Sequence, residues 1–161
     1  MNKYIRFVVA VFFIGLFSQI CIAGEPAPEF KLPSPNGIVD LSSLHGQVVY
    51  LDFWASWCGP CRKSFPWMNE MHKKYSQQGL KIVAVNLDKD RDAIDKFLAE
   101  NKAEFTIAFD PAGNVAKRYR LVGMPSSFII DRTGQIRESH IGFRSSEMEK
   151  MESAIKSVLG M

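Results

Sequence analysis

Two cysteines stand two residues apart in the stretch Trp57-Cys58-Gly59-Pro60-Cys61. At that spacing a small disulfide ring closes and reopens without rearranging the chain. An apolar run ends just before the pair and a helical pattern follows, so Cys58 falls where a helix begins. There the unpaired N–H groups and their partial positive charge favour thiolate over thiol. Thiolate is the species that attacks a disulfide, so the placement predicts a redox catalyst. A structural disulfide and half of a metal site are the competing readings. A zinc centre takes three or four ligands, and His45, His72 and His140 offer no companion set. No metal and no cofactor is expected.

One acid accompanies the pair. Asp52 lies inside the apolar run Val48-Val49-Tyr50-Leu51-Asp52-Phe53-Trp54. Burial there raises a carboxyl pKa, which suits Asp52 to take the proton that Cys61 must lose before attacking. A surface acid on a strand edge is the other reading, and the apolar neighbours on both sides argue against it.

The third cysteine, Cys21, belongs to a different region. Lys3 and Arg6 precede an unbroken apolar run over residues 7–17, and Cys21-Ile22-Ala23 resembles a small-x-small cleavage site. Residues 1–23 are therefore expected to be a secretory signal peptide, and residues 24–161 one domain. An uncleaved anchor over residues 5–23 is the alternative, although that stretch falls short of the ~20 apolar residues of a spanning helix. Cleavage removes Cys21 and leaves only Cys58 and Cys61, so no spare thiol remains to mispair. It also removes two of the 20 basic residues, leaving 18 against 17 acidic ones. Such a neutral domain, with no basic stripe interleaved with aromatics, has no nucleic-acid footprint.

The elements that must hold these residues follow from periodicity. Residues 25–35 carry four prolines and read as extended, and Asn36-Gly37 turns them into a hairpin with residues 38–40. Residues 41–44 form a helical turn. Val48–Trp54 and residues 80–87 are strands apolar enough to be covered on both faces. A helix is expected from Pro60 to Gln78, stopped by Gly79 and kinked at Pro66. Phe65, Trp67 and Met71 sit on it at core spacing. Asp88 to Asp92 offer caps for a helix over residues 93–101. A strand at 105–109, a helix at 112–119, a hairpin of 127–131 with 136–142 and a terminal helix over 145–159 complete the chain. Alternating strands and helices give an α/β three-layer sandwich.

These residues resemble the thioredoxin superfamily, and within it the exported TlpA/ResA-like thiol–disulfide oxidoreductases. The similarity covers nearly all of residues 24–161. It rests on Asp52 to Cys61 as a block, on Pro66 five positions after Cys61, on Gly123-Met124-Pro125 and on Gly142. The N-terminal hairpin and a helix–strand insertion near residues 92–109 match the additions that set the TlpA/ResA group apart. The resemblance implies a thioredoxin-like fold, Cys58 as nucleophile, Cys61 as resolving cysteine and a redox disulfide between them. It also implies a cis peptide before Pro125, with the Met124 backbone pairing with an extended client segment. Trp57, Gly59, Pro60, Gly123 and Met124 then rim the docking surface, although Trp57 reads equally well as packing on the strand below. One position departs from the group: where many members carry a glutamate three residues after the second cysteine, this chain has Ser64. A thioredoxin-like proton path through Asp52 is expected instead.

The Gly-Pro dipeptide between the cysteines matches thioredoxin, at the reducing end of the scale near ~−270 mV. The expected activity is reduction of protein disulfides in exported clients, such as apocytochrome c or copper-delivery proteins. A membrane thiol reductant would recharge the pair. An oxidant or isomerase uses the same cysteines and stays open. A peroxiredoxin-like peroxidase is a further rival, though the Thr-x-x-Cys context of a peroxidatic cysteine is absent. A copper- or partner-binding thioredoxin fold that does not turn over is the rival from another class.

Overall fold

The computed structural model describes residues 24–161. The expected signal segment, with Cys21, lies outside the described residues. The elements run β1 (Glu25–Pro26), β2 (Lys31–Ser34), β3 (Gly37–Asp40), β4 (Val48–Trp54), α1 (Gly59–Tyr75), β5 (Leu80–Asn86), α2 (Arg91–Glu100), β6 (Thr106–Phe109), α3 (Asn114–Arg118), β7 (Ser126–Ile130), β8 (Gln135–Ile141) and α4 (Met148–Leu159). Six strands make one mixed sheet in the order β1-β8-β7-β4-β5-β6. β4 runs parallel to β5 and antiparallel to β7.

The apolar run of β4 explains its central place, because all seven of its residues are buried. Side chains alternate between faces along a strand. Val49, Leu51 and Phe53 enter one core with Leu32 of β2, Leu41, Val115 of α3 and Tyr119. Val48, Tyr50 and Trp54 enter the other with Phe65 and Met68 of α1, Phe97 of α2 and Ile155 of α4. The expected three layers are therefore present. The hairpin and the short helices α3 and Leu41–Leu44 cover one face, and α1, α2 and α4 cover the other.

The N-terminal hairpin forms where Asn36-Gly37 predicts it, with β2 antiparallel to β3. Gly37 takes a φ of 117°, a left-handed angle open to glycine. The insertion after β5 is docked by aromatic rings. Phe97 of α2 lies 4.6 Å from Trp54 and 5.0 Å from Phe65, centroid to centroid, and Phe105 lies 5.3 Å from Phe65.

Several boundaries shift by one to three residues from expectation, and three have a visible cause. α1 ends at Tyr75, and the turn Ser76–Gln78 tightens into a 3-10 helix before Gly79, a common way for a last turn to close. α2 is capped by Asp90, whose carboxylate accepts the Asp92 N–H at 3.0 Å. α3 spans only five residues. The buried carboxylate of Asp110 accepts the N–H groups of Asn114, Val115 and Ala116, so the chain before Asn114 serves as a cap. Among the described residues no helix is long and apolar enough to cross a membrane.

Candidate active site

β4 delivers the chain to the cysteines and α1 leads it away. Cys58 is the N-cap of α1, with φ −82° and ψ 104°, and its sulfur accepts the Cys61 N–H at 3.3 Å. Gly59 and Pro60 follow in the first turn, where Pro60 forfeits an N–H that has no intrahelical partner anyway. The two sulfurs are joined as a disulfide. Cys58 is 5 % exposed and Cys61 is fully buried, so of the two only Cys58 keeps any surface open to a partner.

Trp57 is 72 % exposed. A side chain so exposed does not pack on the strand below, which was the other reading open for this residue. Gly59 and Pro60 are exposed beside it. Phe65, Trp67 and Met71 are buried in the core, as their spacing predicts. Ser64, at the position of the family glutamate, is buried as well, and its hydroxyl donates to the Cys61 carbonyl at 2.9 Å.

Asp52 is buried in the middle of β4, on the face that carries Tyr50 and Trp54. Burial holds its carboxyl well above the usual carboxylate range, and its Oδ2 has no hydrogen-bond partner. The same burial, with the Asp52 charge nearby, pushes the Tyr50 hydroxyl up. A central strand excludes the surface-acid reading of Asp52.

The peptide between Met124 and Pro125 is cis. The register of β7 on β4 sets Ser126 against Phe53, which places buried Pro125 at the end of the sheet where the cysteine loop begins. Met124 packs against the core cluster that holds Cys58 and Cys61. Hydrogen bonds fix the segment: Ser126 Oγ donates to the Gly123 carbonyl at 2.7 Å, and Gly142 N–H to the Pro125 carbonyl at 2.8 Å. At Gly123 a Cβ would lie 3.3 Å from the Ile141 side chain, so any larger residue requires that exposed side chain to shift by a few tenths of an ångström.

A second carboxylate organises the loop and was read from the sequence only as a possible cap. Asp88, just past β5, accepts the Ser56 N–H at 2.7 Å, the Ser56 hydroxyl at 3.0 Å and the Asn86 side-chain amide at 2.8 Å. The Leu87 N–H also donates to the Trp54 carbonyl at 3.0 Å. The residues immediately before Cys58 are thus tied to the end of the neighbouring strand. The asparagine–x–aspartate pattern at a strand end was the one local signal available.

The AhpC/TSA family model matches residues 23–139. The chain is 34% identical over 126 residues to the thiol–disulfide oxidoreductase ResA of Bacillus subtilis strain 168, covering 78% of this chain and 70% of that one. ResA of Bacillus anthracis is 33% identical over 136 residues, covering 84% and 78%. Among solved structures, a Chlorobium tepidum protein assigned as thiol:disulfide interchange protein DsbE is 54% identical and superposes with a TM-score of 0.84, covering 86% of this chain and 98% of that one. StoA of Bacillus subtilis gives 0.67 at 27% identity, over 80% and 96%.

Proposed function

The chain belongs to the AhpC/TSA family and is a thiol–disulfide oxidoreductase of thioredoxin-like fold, and on that premise we propose that it is an exported reductase of protein disulfides. The observation that carries this reading is the buried Cys58–Cys61 pair at the start of α1, with Gly-Pro between the sulfurs and the first sulfur the more open. The N-terminal sequence supports export, as a cleaved signal or as an anchor.

In the reduced protein, Cys58 is the nucleophile. Its thiolate attacks one sulfur of a client disulfide, and the other client sulfur leaves as a thiolate that takes a proton from water. Cys61 then gives its proton to the Asp52 carboxylate and attacks the Cys58 sulfur. The Cys58–Cys61 disulfide forms, and the second client sulfur leaves. The client gains two electrons and the enzyme loses two. Recharging reverses the exchange: a membrane thiol reductant attacks Cys58, and Cys61 departs with a proton from Asp52. Clients of cytochrome c maturation or copper-protein assembly fit this chemistry.

Docking falls to the exposed rim. Trp57, Gly59 and Pro60 form one side and half-buried Gly123 and Met124, held by buried Pro125, the other, with the Met124 backbone pairing with an extended client strand. Ser64 has no carboxyl to take a proton, and its hydroxyl donates to the Cys61 carbonyl.

The test is the equilibrium potential of Cys58–Cys61 against glutathione or dithiothreitol, with a Cys61→Ser variant to trap clients on Cys58. A potential near or below the ~−270 mV of thioredoxin, together with trapped clients, supports the reductase. A potential near the ~−120 mV of strong oxidants would make the protein an oxidant or isomerase.

A further inference from the structure

A carboxyl buried like Asp52 meets solvent only through its neighbours, and the sheet lays polar side chains in line from it to the surface. Asp52 pairs with Ser127 across β4 and β7, and Ser127 pairs with His140 across β7 and β8. Residues paired across a sheet share a face, with Cβ atoms about 4.5–5.5 Å apart. The row lies on the α4 side, because Tyr50, Ser127 and His140 line one cavity with Met151 and Ala154. Exposure rises along it: Asp52 and Ser127 are buried, and the His140 side chain is 26 % exposed. On the opposite flank Asp52 pairs with Ala84 of β5, whose side chain has no polar atom.

We propose that Ser127 and His140 relay the Asp52 proton between the buried site and solvent, acting through Asp52 as positioning residues. This rests on Asp52 being the base for Cys61. Asp52 Oδ2 has no hydrogen-bond partner, and the Ser127 hydroxyl, bonded to Tyr50, belongs to the residue paired with Asp52 across the sheet. A hydroxyl donates one proton as it accepts another, so no charge rests on it. The cavity of about 60 Å³ next to Tyr50, Ser127 and His140 exceeds the roughly 10–15 Å³ that a water needs.

Past Ser127, the buried His140 Nε2 faces the buried Glu147 Oε2 at 3.3 Å without a hydrogen bond, and Arg144 approaches the other Glu147 oxygen at 3.5 Å. Lys150 of α4, Glu138 of β8 and Tyr50 of β4 face the same cavity. An imidazole passes protons to water readily near neutral pH. During client reduction the proton runs from Cys61 to Asp52, through Ser127, to His140 and water. During recharging it runs back.

The test compares the full chain with Ser127→Ala, Ser127→Thr, His140→Gln and Asp52→Asn, using insulin as the protein disulfide. The readouts are the pH–rate profile, the solvent deuterium isotope effect and the equilibrium potential. Ser127→Ala and His140→Gln should turn over about tenfold more slowly, the low end of what positioned proton transfer contributes. Their isotope effects should rise and their potentials should not move. Added imidazole should restore His140→Gln, and Ser127→Thr should keep the wild-type rate. Wild-type rates and isotope effects in Ser127→Ala and His140→Gln, beside a slow Asp52→Asn, would overturn the relay alone. Equal slowing by Ser127→Thr and Ser127→Ala would reduce Ser127 to packing and overturn it too. A wild-type rate in Asp52→Asn would remove Asp52 as the base, and the relay with it.

Discussion

The Cys58 sulfur accepts the backbone N–H of Cys61 at 3.3 Å, so the attacking side chain also closes the first turn of α1. A cysteine in that place serves both local structure and chemistry. Helix formation needs only an acceptor there, whereas exchange needs sulfur. The two roles therefore separate by substitution.

Cys58→Ser keeps an acceptor at the N-cap, and Cys58→Ala removes it. Both should abolish insulin reduction. In urea unfolding, measured against reduced wild type, the alanine variant should be less stable than the serine variant by about 1 kcal/mol. Equal stabilities would show that the sulfur contributes nothing as a cap.

Asp52 gives the protein a pH dependence of known sign. Burial raises its pKa above the ordinary 3.8, so the folded chain keeps a proton that the unfolded chain has already released. Where the folded state holds more protons, stability falls as pH rises, by at most about 1.4 kcal/mol per pH unit. The loss begins above 3.8 and stops once the folded carboxyl ionises. Asp52→Asn carries no such proton, so its stability margin over wild type should widen with pH across that window. Unfolding curves of the oxidised proteins at several pH values check this, and parallel curves would contradict it.

Asp88→Ala withdraws the acceptor from the Ser56 N–H, the Ser56 hydroxyl and the Asn86 amide. Leaving part-buried donors unpaired should cost about 1–3 kcal/mol. Hydrogen exchange at the Ser56 amide should accelerate by more than exchange in the middle of α1. A uniform acceleration would show global destabilisation, with no special hold on the loop.

Trp57→Ala should leave stability within about 0.5 kcal/mol of wild type, as expected for an exposed side chain. If Trp57 is a docking contact, kcat/KM for a protein disulfide should fall about tenfold while a small aromatic disulfide is reduced at the wild-type rate. Equal rates on both substrates would place docking elsewhere.

Much of this arrangement is legible in the sequence because it is local. The apolar run announces β4, the acid within it marks a buried carboxyl, and the cysteines after it mark a helix start. Asp88 was not legible, because its bond to Ser56 spans 32 residues and nearby Asp90 and Asp92 compete for the same local reading. The row of Asp52, Ser127 and His140 depends on two strand registers, with an irregularity between Ile129 and Ile130. No periodicity within one segment fixes that. α3 misled for a related reason: its pattern is helical over eight residues, but a carboxylate at Asp110 takes over its first turn.

Trp54, at the last position of β4, rests on Phe65 of α1 and on Phe97 of the inserted α2. The insertion is thus no removable module. A trimmed chain running straight from Leu87 to Asp110 would leave a fully buried indole facing water three residues before Trp57. Evolutionary loss of α2 would require replacement of Trp54 and Phe65 in the same lineage, which ties the history of the insertion to that of the catalytic strand.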